Sequence, residues 1–256
     1  MTPLHAALGV LVGIVAGIGS GLFGVGGGIV TTPAINVLLG GTAIQAVATP
    51  LPVIFPTSLV GAFTYGRAGE VSIRAFLWAI GPGIAGAVAG AALTDVVNAH
   101  LLLVITSVLI GWTAVQVARG RTPRTPWERG KTAGWKYAAI GLVAGFLSGL
   151  LGIGGGIVMV PLFTTAIGMP LKRALGTSLA TMSALVIPGT IVHSILGHID
   201  WSIFAVLTIG VIPGAWIGSK IAIRTRERSL RITVGAFLLA VAVLYGVREL
   251  LALVQG

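Results

Sequence analysis

No Lys, Arg, Asp or Glu occurs in the first 65 residues of this chain, and the same four types are missing from 75–94, 96–118, 137–171, 174–199, 201–219 and 232–247. An apolar stretch of about 20 residues is long enough to cross the hydrocarbon core of a bilayer as a helix. Only 9% of the residues are charged, against about 25% in an ordinary soluble domain, so there is too little polar surface to cover a water-soluble globule. The windows predict an all-α, polytopic protein whose surroundings are the lipid bilayer.

The charges that remain are segregated. Net charge is +10, but a nucleic-acid interface would spread its basic residues over a polar, solvated face. Here Arg119, Arg121, Arg124, Arg129, Lys131 and Lys136 fall in one polar linker, and Lys220, Arg224, Arg226, Arg228 and Arg231 fall between two apolar spans. Those are the positions that the positive-inside rule assigns to cytoplasmic loops, and no nucleic-acid partner is expected. The absence of cysteine excludes disulfides and thiolate chemistry. Residues 4–18 are apolar from the start of the chain but lack a basic leader, and they recur at 140–148, so they are expected to be structural.

That recurrence belongs to a repeat. At an offset of 128 residues, 13–33 aligns with 141–161 with 14 identities in 21 positions, including Ser20-Gly21-Leu22 with Ser148-Gly149-Leu150, the two triple glycines, and Pro33 with Pro161. The register continues without a gap through Thr49/Thr177, Leu51/Leu179, Gly61/Gly189, Gly69/Gly197, Phe76/Phe204, Gly86/Gly214 and Gly90/Gly218. The chain therefore divides into a first membrane repeat (1–118), a basic linker (119–136) and a second membrane repeat (137–256).

Each copy reads as a Gly-broken helix pair followed by three long helices. In the first copy the segments are 4–23, a break at 24–28, 29–39, 43–65, 73–93 and 98–118; in the second they are 137–151, a break at 152–156, 157–167, 172–196, 201–223 and 229–254. If each broken pair is re-entrant, entering and leaving by one face, each copy crosses three times and the second copy is inverted. That parity puts the linker, the Arg67/Arg74 loop, Lys172-Arg173 and the 224–231 cluster on one side. The turns at 40–41, 94–97 and 197–200, which carry no Lys or Arg, fall on the other. Charge thus predicts tandem inverted-topology repeats, a cytoplasmic linker and both termini external in a plasma (inner) membrane.

The breaks are the first candidate site. Glycine in a helix costs about 1 kcal/mol per residue, and broken backbone is tolerated in a membrane only where it is buried in protein or lines a wet cavity. The helix after each break starts there, so the N–H groups around Gly26, Gly27, Gly28 and Ile29, and around Gly154, Gly155, Gly156 and Ile157, are placed to bind an anion. The same glycines would also serve close helix crossing, as Gly13/Gly17/Gly21 and Gly141/Gly145/Gly149 do at GxxxG spacing. The GxGxxG pattern at Gly19–Gly24 is no dinucleotide fingerprint, because no strand precedes it and its counterpart contains Leu147.

Neutral donors near the breaks come next: Thr31, Asn36, Thr49, Thr177 and Ser178. Such hydroxyls also bond their own helix carbonyls; Thr49/Thr177 stand out because both copies retain them beside disturbed backbone. Gln45, Lys172, Arg173 and His193 are candidates for gating or for attracting the anion. His193 would relay a proton or sit at the interface, and Lys172 and Arg173 would attract cargo or only obey positive-inside. No catalytic residue, metal site or cofactor is expected, since Asp95, Asp200 and Glu70 fall in loops and no acid/base pair lies within a span.

The paired motifs Gly24-Val25-Gly26-Gly27-Gly28 with Pro33, and Gly152-Ile153-Gly154-Gly155-Gly156 with Pro161, followed by Gly176-Thr177-Ser178-Leu179, resemble the TauE/SafE sulfite exporter family over nearly the whole chain. The resemblance implies an inner-membrane protein for passage of sulfite and small organosulfur anions such as sulfoacetate. In the first copy Ala48-Thr49-Pro50-Leu51 replaces the Gly-Thr-Ser-Leu run. The expected function is transport, in the direction of export, of a small anionic sulfur compound by alternating access, with a proton or sodium as coupling ion; the alternative is a passive anion channel for the same substrates.

Overall fold

A computed structural model describes residues 3–93, 108, 111–116, 132–237, 239–240 and 243. Among the described residues there are helices and turns and no strand. The helices are α1 (Pro3–Phe23), α2 (Gly28–Val37), α3 (Ala43–Ala48), α4 (Pro50–Arg67), α5 (Ile73–Leu93), α6 (Gly134–Leu151), α7 (Gly156–Thr165), α8 (Leu171–Ile195) and α9 (Trp201–Arg224). Residues 111–116 and 227–237 are also helical. Most of the expected segments 98–118 and 229–254, and residues 119–131 of the linker, lie outside the described residues.

Among the described residues six spans are long and apolar enough to cross a membrane: α1, α5, α6, α8, α9, and α3 with α4 taken together as Ile44–Arg67. Their outward faces carry large apolar side chains, with Leu11, Phe63, Leu77, Ile209 and Ile195 all more than half exposed. Lipid chains cover such a surface at no cost, whereas water would not.

The boundaries follow the sequence closely, with one difference. The expected single helix at 43–65 is two helices that meet at Thr49, because Pro50 and Pro52 have no N–H to bond the carbonyls one turn back. Its counterpart α8 runs unbroken for 25 residues, with Ser178 and Ala180 where α4 has the two prolines.

Helix packing exchanges partners between the copies. A Cβ on Gly13, Gly17 or Gly21 of α1 would strike the carbonyl of Leu207, Val211 or Ala215 of α9, and one on Gly210, Gly214 or Gly218 would strike α1 in return. The pair α6 and α5 repeats this: Gly141, Gly145 and Gly149 abut Ala79, Gly83 and Ala87, while Gly86 and Gly90 abut Leu142 and Phe146. In both pairs residue numbers rise together, so the helices run parallel. All these contacts but that of Gly210, whose counterpart is Pro82, recur at +128 or −128 in the other pair. Lipid is as apolar as leucine, so close backbone approach through small residues supplies the association that water would drive in a soluble protein.

The equivalent helices α4 and α8 face each other at the centre. The side chain of Leu179 lies 2.8 Å from where a Cβ on Gly61 would be, and that of Leu51 lies 3.3 Å from the same point on Gly189. These are one contact made twice, and they show α4 and α8 running antiparallel.

Candidate functional site

Each break is built from three glycines at positive φ: Gly24, Gly26 and Gly27 at 68°, 82° and 78°, and Gly152, Gly154 and Gly155 at 67°, 80° and 75°. Left-handed backbone costs other residues roughly 1–2 kcal/mol each, which is why the sequence spends glycine here. Gly27 is the residue before α2 and Gly155 the residue before α7, neither with a side-chain cap. The first N–H groups of both helices therefore have no acceptor within their own helix.

The two breaks touch. A Cβ on Gly28 would lie 3.1 Å from Ile153 Cα, and one on Gly156 would lie 2.8 Å from Val25 Cα. Ile54 and Met182, equivalent at the 128-residue offset and both fully buried, close the space between them. Around Gly154, the nearest atoms to a Cβ would be Ile54 Cδ1 and Met182 Cε, each at 3.1 Å, and the same two side chains crowd Gly26. Val25, Ile29, Ile153 and Ile157 complete an almost fully buried shell. Ser178 Oγ donates to the Gly24 carbonyl at 2.9 Å, and Tyr65 Oη donates to the Gly21 carbonyl at 3.0 Å.

Of the residues singled out from sequence, Gly26–Ile29, Gly154–Ile157 and Ser178 are brought together here. Thr31 faces back along α2, donating to the Gly27 carbonyl at 3.2 Å. Asn36 is half-buried in the last turn of α2, away from the break. Gln45 is part of a capping box, accepting from Thr42 N–H at 2.9 Å.

Thr49 and Thr177 join the two copies. Asp200 N–H donates to Thr49 Oγ1 at 3.1 Å, and Ser72 N–H donates to Thr177 Oγ1 at 2.9 Å. Ser72 and Asp200 are 128 residues apart, so this is again one bond made twice. It ties α4 to the start of α9 and α8 to the start of α5.

The charged candidates stand at the ends of helices. Lys172 Nζ donates to the Ile223 carbonyl at the end of α9, and Arg173 donates to the Gly69 carbonyl at 3.0 Å and lies 3.8 Å from the Glu70 carboxylate. His193 is fully buried in the last turn of α8, its Nδ1 3.2 Å from Nδ1 of His198.

Sequence reasoning missed a further pair. Ser20 and Ser148 are fully buried, and their hydroxyls have no hydrogen-bond partner among the described residues. Each sits one turn before its break, its carbonyl accepting from Gly24 or Gly152 N–H. Ser20 Cβ is 3.7 Å from where a Cβ on Gly27 would be. Their retention in both copies was a visible signal, but serine in a Gly-rich run reads as one more small packing residue.

A family model described as Sulfite exporter TauE/SafE matches residues 9–245. The chain belongs to this family. Curated relatives include "Probable membrane transporter protein YunE" of Bacillus subtilis, 30% identical over 93% of this chain and 94% of that protein. A "Probable membrane transporter protein" of Xylella fastidiosa (strain 9a5c) is 27% identical over 90% and 91%. "Probable membrane transporter protein MJ0441" of Methanocaldococcus jannaschii is 26% identical over 90% and 91%. No solved structure matches the chain at a significant level.

Proposed function

We propose that this TauE/SafE protein is a secondary transporter that carries a small sulfur oxyanion or sulfonate across the membrane by alternating access. The observation that carries the reading is the meeting of two uncapped helix starts, each beside a buried serine hydroxyl that lacks a partner among the described residues. Backbone N–H groups and hydroxyls attract an anion without a fixed full charge, so cargo held by them can also be released. Ile54 and Met182 occupy the meeting point, and the cargo would enter by displacing them.

The antiparallel run of α4 against α8 supports an inverted-topology repeat, since copies related by an axis along the membrane normal would have these helices parallel. In that topology each break is re-entrant, the linker is cytoplasmic and both termini are external. Sulfite and organosulfonates suit the site because several equivalent oxygens accept bonds from several directions at once.

Two measurements test this. In a thermal-shift panel on the purified protein, sulfite, thiosulfate or sulfoacetate should raise the melting temperature more than acetate does; equal shifts refute the substrate class. In proteoliposomes, the anion that binds should accumulate uphill under an imposed proton or sodium gradient. Flux that only equilibrates would identify a passive channel instead.

A further inference from the structure

The C-terminal halves of α4 and α9 enclose a cavity of about 940 Å³ that no part of the transport reading uses. Leu59, Val60, Phe63, Trp216 and Ile223 form its walls, and Arg67, Lys220 and Arg224 its rim. Leu59, Phe63 and Trp216 are each about half exposed or more, so the cavity opens sideways from the helix bundle. It does not lead to the breaks: α4 turns Ile54, Gly61 and Tyr65 inward and presents Leu59, Phe63 and Arg67 on its other side.

The rim has a surplus of positive charge. The two helix C-termini each contribute about half a negative charge, which leaves three cations in excess by roughly two charges. The carboxylates nearby in sequence are engaged elsewhere, Glu70 with Arg173 and Glu227 with Arg231. Among the described residues the rim cations have no acidic partner. Arg67 lies 5.3 Å from the centre of the Phe63 ring, and Lys220 lies 3.6 Å from that of Trp216. Those rings hold the cations at the boundary between apolar wall and polar rim.

An inorganic anion would use the rim and leave the apolar walls bare. A molecule with a phosphate at one end and hydrocarbon at the other satisfies both, and basic pockets between membrane helices recognise such head groups. We propose that this groove binds an anionic phospholipid, with its phosphate at Arg67, Lys220 and Arg224 and its acyl chains along Leu59, Phe63 and Trp216.

Native mass spectrometry of the full chain in neutral detergent tests the proposal, by titration with phosphatidylglycerol, phosphatidylcholine of the same chains, and glycerol 3-phosphate. Phosphatidylglycerol should bind more tightly than phosphatidylcholine. The double variant Arg67→Gln/Lys220→Gln should lose roughly 30-fold of that affinity, at about fivefold per cation, while its phosphatidylcholine binding stays unchanged. Arg67→Lys/Lys220→Arg should restore most of the loss, and Arg231→Gln, outside the groove, should leave binding intact. A melting temperature equal to that of the parent would show that the double variant is folded. Equal binding of the two lipids, or unaltered phosphatidylglycerol binding by the double variant, overturns the proposal. So does glycerol 3-phosphate competing as well as the intact lipid, since the site would then serve free anions.

Discussion

Ser20→Ala and Ser148→Ala should move stability and binding in opposite directions. A buried hydroxyl without a partner costs about 1–3 kcal/mol in desolvation. In both variants the cargo-free protein should therefore become more stable by up to that amount, or about 2–4 °C per kcal/mol for chains of comparable length. If the same hydroxyl bonds a charged oxygen of the cargo, its removal weakens binding by about 1.5–3 kcal/mol, roughly 10- to 150-fold. The assay is a melting curve with and without sulfite: the midpoint should rise in its absence, and the ligand-induced increment should shrink. Variants that melt lower and still bind normally would refute the reasoning, because the hydroxyls would then be holding the fold and not the anion.

Thr49→Val and Thr177→Val should each lower the melting temperature, since each removes the acceptor of a part-buried N–H of Asp200 or Ser72, a bond worth about 0.5–1.5 kcal/mol. Gly155→Ala should destabilise more than Gly27→Ala, because its Cβ meets the Ala144 carbonyl while that of Gly27 clears Ala16 by 3.4 Å; equal melting temperatures would count against the packing described at the breaks. Met182→Ala should cost about 2–5 kcal/mol in folding and, by opening the space between the breaks, raise passive sulfite leak in proteoliposomes; a tight variant would remove Met182 from the gate. A cysteine at Gly40 should react with an impermeant thiol reagent in intact cells and one at Thr225 should not, and the reverse labelling would invert the proposed topology.

Much of this architecture was legible in the sequence, because charge and glycine are the residues that lipid constrains most. The charge-free windows located the spans to within a few residues, and the 128-residue register foretold which contacts come in pairs. The split at Thr49 was partly visible in Pro50 and Pro52, although Pro56, Pro82 and Pro188 lie inside helices that continue. The role of Thr49 and Thr177 was not legible: each meets a cap residue more than 100 positions away, and no local pattern reports that. The capping box of Gln45 was not read from the sequence either, although its partner Thr42 is local.

The exchange of helices between the copies has a consequence for synthesis. The glycine face of α1 is complete as soon as the N-terminus enters the membrane, but its seat on α9 is about 200 residues further along the chain. At about 5–20 residues per second, that face waits roughly 10–40 s for its partner. During this time GxxxG-spaced glycines stand open to other helices with small-residue faces. Under the inverted topology proposed above, the first copy made without the second should pair with another first copy inserted the opposite way.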